Sequence, residues 1–275
     1  HKINDPSAVN NRIYKPGNAT LIQLTYAQKG MGLYLAAIRT DNMSFKSDRD
    51  AGGNDLNINY IPSLAKQTTY SLPALYIYGT QPNGEFGFQA QGIYTFKKKT
   101  KLGGKYGTTI SLTYSRYNNI FKKQIDENTP LDSTGTLGYK SDFFKFGKEV
   151  YYENFNFEFS KKFSKLFKLI VEYFYIQYNS SVIEGHVMPN IHSHTIVADM
   201  TFNINEKHSI RSELQHMYTK QGEGSWAYAL VEYTIAPKWF FSLSDMYNYD
   251  NDIAEKRLHY YNVSTSFATG STRIA

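Results

Sequence analysis

Two histidines, His192 and His194, stand two positions apart in the stretch EGHVMPNIHSH, with Glu184 and His186 just upstream. In an extended segment, residues at i and i+2 leave the backbone on the same side, so both imidazoles are placed to chelate Zn²⁺ or Cu²⁺. The competing explanation is a polar loop with scattered histidines, and no metal is expected as a resident group. A second set is charged. Arg211, Glu213 and Gln215 share one side of RSELQHM, and Asp199, Glu232 and Asp245 join them as a possible ladder. Such a ladder either lines an aqueous channel or pairs across strands to fill an interior. Glu213 and His216 leave on opposite sides, which argues against an acid–base pair.

Other chemistries find little support. The chain has no Cys, so thiol nucleophiles, thiolate metal sites and disulfides are excluded. Ser is plentiful, but no Ser–His–acid set has a recognisable spacing. LGGKYGT (102–108) is glycine-rich without the P-loop pattern, and no helical segment follows it. The net charge of +6 comes with no nucleic-acid reading motif. No enzymatic activity, cofactor or nucleic-acid partner is expected.

Strands must position these residues. In TIVADMTFNI (195–204), Ile196, Ala198, Met200, Phe202 and Ile204 alternate with Thr195, Val197, Asp199, Thr201 and Asn203. Period 2 is the signature of a strand whose two faces differ. The same alternation recurs at Ile22, Leu24 and Tyr26, at Phe86 to Phe96, at Ile110, Leu112 and Tyr114, and at Phe155, Phe157 and Phe159. It returns at Ile210 and Leu214, at Trp239, Phe241 and Leu243, and at Tyr261, Val263 and Phe267. About thirteen such segments and the start of another follow one another, each about 10 residues long. That length exceeds the about 5–6 residues of soluble strands and fits the about 9–11 of a tilted transmembrane strand. The densest apolar run, LIVEYFYI (169–176), is broken by Glu172 and is far shorter than the about 20 residues of a spanning helix.

Connections alternate in length, as they do in outer-membrane barrels with short periplasmic turns. Short ones are expected at 29–32, 62–68, 97–106, 161–168, 205–208, 236–238 and 269–272. Longer ones are expected at 46–54, 81–84, 118–149, 179–192, 220–225 and 250–257. The short set carries 13 Lys against one acid, Glu206, with the densest groups at Lys97, Lys98, Lys99 and Lys101 and at Lys161, Lys162 and Lys165. These are either solubilising turn residues or a basic rim for anionic lipid or an acidic partner.

The expected fold is therefore an antiparallel, up-and-down transmembrane β-barrel of about 14 or more strands. Residues 1–18 form a lead-in and 19–275 the barrel. The apolar face meets lipid and Asp199 faces the interior. RTDNMSFKSDRD (39–50), NINYIPSLAKQTTYSLPALY (57–76), TQPNGEFGFQ (80–89) and LGGKYGT resemble an uncharacterised outer-membrane β-barrel family of the Bacteroidota. The resemblance implies an outer-membrane location and a barrel fold, in contact with outer-membrane lipids and lipopolysaccharide, and is silent on activity. Its members are longer, so the last strand, reached at ATGSTRIA, is expected to be truncated. Three functions stay open: a subunit or scaffold of an outer-membrane assembly for secretion, uptake or barrel biogenesis, in contact with other outer-membrane or periplasmic proteins; a solute channel; and a soluble β-sandwich binding module. The sandwich requires the apolar face, including Phe202 and Leu112, to lie beneath a second layer.

Overall fold

The computed structural model describes residues 2–3, 15–44, 46–48, 51, 56, 61–131, 133, 135–185, 187–270 and 272–274. Strands dominate because period-2 segments rich in Tyr, Phe, Ile, Val and Thr fit a pleated surface with two chemically distinct faces. Eleven long strands are β2 (Pro16–Gln28), β3 (Met31–Asp41), β4 (Glu85–Phe96), β5 (Thr108–Gln124), β6 (Tyr139–Lys162), β7 (Phe167–Tyr178), β8 (Ile191–Asn203), β9 (His208–Tyr218), β10 (Trp226–Ile235), β11 (Trp239–Asn248) and β12 (His259–Thr269). The short strands β1 (Lys2–Ile3) and β13 (Thr272–Ile274) flank them. Each strand pairs antiparallel with the next in a single sheet, in chain order from β1 to β13. The expected count of about 14 or more thus becomes thirteen among the described residues, and β1 and β13 do not pair to close the sheet. Among the described residues helix is limited to short turns such as Ser180–Ile183, and none is long and apolar enough to cross a membrane.

The two faces are opposite to those of a soluble sheet. Ile196 is 53% exposed, whereas its neighbour Val197 is fully buried and Asp199 is 8% exposed. Phe202 and Leu112 are each 45% exposed. The polar face is sealed and the apolar face is open, so no second layer among the described residues covers the outer side chains.

Sealing comes from within the chain. The connection between β3 and β4 was expected to hold strands and a short turn at 62–68. No long strand lies between Asp41 and Glu85 among the described residues, and residues 61–80 pack onto the polar face instead. Leu64, Ala65, Leu72, Tyr76 and Tyr78 from this segment form one cluster with Ala36 and Ile38 of β3, Tyr117 of β5, Tyr152 of β6, Ile176 of β7, Met217 of β9 and Trp226 of β10. Side chains from β3 to β10 therefore curl round a common centre. The apolar residues of 61–80 mimic a strand pattern, but Pro62 and Pro73 lack the N–H groups a ladder needs. Pro73–Tyr76 forms a 3₁₀ turn.

This correction regularises the connections. The turns β2–β3, β4–β5, β6–β7, β8–β9, β10–β11 and β12–β13 lie at one end, and the longer links lie at the other. The expected loops at 46–54 and 81–84 merge into the single β3–β4 link. The loop expected at 118–149 is also shorter. β5 and β6 continue to Gln124 and from Tyr139, with register shifts after Tyr117, Asn118 and Ile120. Both faces of such an extension can be wet, so it carries no clean alternation that a sequence pattern would reveal.

Candidate functional site

The site is the interior surface together with the segment that fills it. β8 and β9 pair Asp199 with Glu213, and β9 and β10 pair Arg211 with Glu232, which puts all four side chains on the inward face. Arg211 is the hub. Its Nε and Nη2 donate to Asp199 Oδ1 and Oδ2 at 3.1 and 3.0 Å, and its Nη1 donates to Glu232 Oε2 at 2.8 Å. Nη2 also donates to Glu213, and Gln215 Nε2 donates to the same carboxylate. One guanidinium thus serves three carboxylates through its planar fork of donors.

The inserted segment is bonded to this wall at several levels. Leu72 N–H donates to Gln215 Oε1 at 2.9 Å, and Tyr70 O–H donates to Asp199 Oδ2 at 3.4 Å. Lys66 donates to Glu172 of β7 and to Asn156 of β6, and lies 3.6 Å from Glu158. The Lys66 ammonium also stands 5.6 Å from the centre of the Phe174 ring. Ser115 Oγ donates to the Leu64 carbonyl at 3.3 Å, and Leu64 N–H donates to the Tyr117 hydroxyl. At the far end of the segment Tyr78 O–H donates to Glu85 Oε2 at 2.6 Å, and Gln81 N–H donates to the same oxygen at 2.7 Å. The Tyr78 ring stacks on Tyr117 with centroids 4.0 Å apart. Burial pushes the hydroxyl of Tyr76 up to about 12, with Glu223 and Glu184 adding to the shift. Burial also raises Tyr70 and Tyr78, whose neighbours Asp199 and Glu85 disfavour the phenolate further.

The arrangement positions charges to hold a polypeptide in place; it does not align a nucleophile with a base. On the short-turn side of the segment lies an open cavity of about 570 Å³, lined by Tyr34, Lys66, Gln67, Gln89, Gln91 and Ile93 among others.

Asp245 does not join the ladder. Register pairs Glu232 with Ser242, so Ser242, Ser244 and Met246 point inward, and Asp245 shares the outward face with Phe241 and Leu243. There its Oδ2 lies 2.8 Å from His259 Nδ1. Its odd parity with Leu243 was visible in the sequence; the charge alone suggested the interior. His192 and His194 also face outward, where their Nδ1 atoms bond the hydroxyls of Tyr175 and Tyr173 at 3.0 and 2.8 Å. His186 lies outside the described residues, and no group of three His, Asp or Glu among the described residues could hold a metal ion. Lys97, Lys98, Lys99, Lys101, Lys161, Lys162 and Lys165 stand in or beside the short turns. Lys66, counted with that basic set, belongs to the interior instead.

Sequence reasoning missed the roles of Lys66, Tyr70 and Glu172. Glu172 did leave a signal: a carboxylate that interrupts the densest apolar run must face inward and needs a cation.

Fold and site together define an inside-out, up-and-down antiparallel sheet whose interior holds residues 61–80 of its own β3–β4 connection. The chain belongs to the family of unknown function DUF6029, whose model matches residues 1–275. No curated protein matches it. Among solved structures it is similar to the NanC porin, with 10% identity over 91% of this chain and 93% of that chain and a TM-score of 0.36. It is similar also to the KdgM porin, with 9% identity over 92% of each chain and a TM-score of 0.29. A third is the loop L8 deletion mutant of OmpT, an outer membrane protein of Vibrio cholerae, with 11% identity, coverage of 92% and 91%, and a TM-score of 0.35.

Proposed function

We propose that this chain is an outer-membrane β-barrel protein, closed to free diffusion by residues 61–80, that serves as a non-enzymatic subunit or scaffold of a larger outer-membrane assembly. The observation that carries the membrane reading is the reversal of faces, with Val197 and Asp199 sealed while Ile196 and Phe202 stay open. In water such an apolar band would forfeit about 25 cal/mol per Å² and far exceed the few hundred Å² a soluble monomer leaves exposed. Strand length agrees. The 11 residues of β9 extend about 36 Å, or about 26 Å when tilted by ~45°, against an apolar band of ~25 Å.

Rings occupy both ends of the outward face, as interfacial girdles do. Tyr247 stacks on His259 and Tyr175 on His192 toward the longer-loop end. Trp239 packs on Phe267 and His208 on Tyr233 at the short-turn end.

The scaffold role is favoured over an open pore by the inserted segment, which spends the interior charges on holding itself. The open cavity beneath it, to which Gln67, Gln89 and Gln91 contribute, favours a second reading, a channel that conducts once the segment leaves. Planar-bilayer recording of the full chain and of a variant lacking residues 62–79, alongside gentle extraction and mass spectrometry, separates them. The scaffold reading expects a silent wild type that co-purifies with partner proteins. A steadily conducting wild type recovered as a lone particle overturns it, and solubility without detergent overturns the membrane reading itself.

A further inference from the structure

The turns β4–β5 and β6–β7 adjoin, because β5 and β6 pair between them and bring Thr108 opposite Lys161. Together residues 97–105 and 161–168 carry nine lysines and no acid. Among the described residues none of the nine forms a salt bridge. Lys105 and Lys162, one from each turn, stand 5.6 and 5.7 Å from the centre of the same Tyr106 ring. Like charges grouped on two adjoining turns repel one another and call for a counter-anion.

The first turn is also built firmly. Lys99 adopts a left-handed backbone with φ of 65°, and its N–H donates to the Gly104 carbonyl at 2.6 Å. Thr100 Oγ1 donates to the Lys97 carbonyl at 2.7 Å, and Thr108 Oγ1 donates to the Leu102 carbonyl at 2.8 Å. A turn that only kept the chain soluble would need neither this bonding nor a strained lysine. Leu102, Phe163 and Leu166 stand exposed in the same two turns. Lysines interleaved with exposed apolar side chains at the end of an apolar band match a headgroup with its acyl chains. A purely acidic segment would satisfy the lysines and leave Leu102, Phe163 and Leu166 in water, whereas a phospholipid offers charge and acyl chain together.

We infer that these paired turns form a binding site for anionic phospholipid, the lysines taking the phosphate and Leu102, Phe163 and Leu166 the acyl boundary. The inference rests on the membrane reading above. The test uses the full chain folded in detergent, with retention of folded, heat-modifiable migration as the check on each variant. Equal amounts of phosphatidylglycerol and phosphatidylethanolamine are added and retained lipid is read by native mass spectrometry. The wild type is expected to keep phosphatidylglycerol severalfold over phosphatidylethanolamine. The combined variant K97Q, K98Q, K99Q, K101Q, K161Q, K162Q and K165Q is expected to lose that preference, and the matching Lys→Arg variant to keep it. A wild type without preference, or a folded Gln variant that retains it, overturns the site. Complete displacement of the lipid by polyglutamate at equal charge overturns it in favour of an acidic protein partner. Failure of the membrane reading shows separately, as a chain that stays soluble before any lipid is added.

Discussion

The backbone N–H of Leu72 donates to the side-chain oxygen of Gln215 at 2.9 Å, across 143 positions of sequence. Leu72 itself is fully buried, so this bond is what satisfies its amide away from water. Gln215→Leu leaves that N–H unpaired and takes a donor from Glu213, at a cost of about 1–3 kcal/mol. The expected outcome is faster proteolysis within residues 61–80 while folded migration persists, measured by limited digestion and mass spectrometry. Unchanged digestion would mean that the bond does not hold the segment.

Lys66 is the cation for Glu172, and Glu172 is buried. Lys66→Met is expected to destabilise the folded protein by about 3–5 kcal/mol, because it strands a buried carboxylate. The double change Lys66→Met with Glu172→Gln is expected to recover most of that loss. Urea unfolding of all four proteins in one lipid gives the coupling; additivity of the two single changes would contradict the pairing.

Alkaline solution should release the segment. The hydroxyls of Tyr70, Tyr76 and Tyr78 are raised above the ordinary value of 10.0 by burial, with Tyr76 at about 12. Between about pH 10 and 12 an unfolded segment has lost these protons while the docked one keeps them. The docked state then binds more protons, and its stability falls as pH rises. Below pH 10 this contribution is constant. Tyrosinate absorbance together with protease sensitivity should change above pH 10 before strand circular dichroism does.

Leu214 lies on the outward face, midway along β9. Leu214→Arg is expected to cost about 2–4 kcal/mol of folding stability in a bilayer, because the charge must sit against lipid. In a water-exposed sheet the same substitution would change stability by less than about 0.5 kcal/mol. Folding yield into vesicles across urea concentrations distinguishes the two.

Much of the fold was legible because each strand carries its own evidence. Phe155, Phe157 and Phe159 alternate with Asn156 and Glu158 whatever their neighbours do, and register then carries each face along the sheet. The face assignments at Leu112, Ile196, Phe202 and Leu214 all hold. Asp245 was misplaced by its charge although its parity with Leu243 was already in the chain, and the strand extensions around 118–149 were missed because water on both faces removes the pattern.

Outside residues 46–84 and the extensions of β5 and β6, the sequence by itself determined the strands, their two-sided chemistry and the alternation of short and long connections, since all three are set by neighbours within a few residues. Only the tertiary structure decided that residues 61–80 turn inward and fill the interior. Their apolar spacing resembles a strand. The partners that choose between strand and plug are Gln215, Glu172, Asn156 and Tyr117, which lie 50 to 150 positions away, roughly, and come together only when the sheet curls.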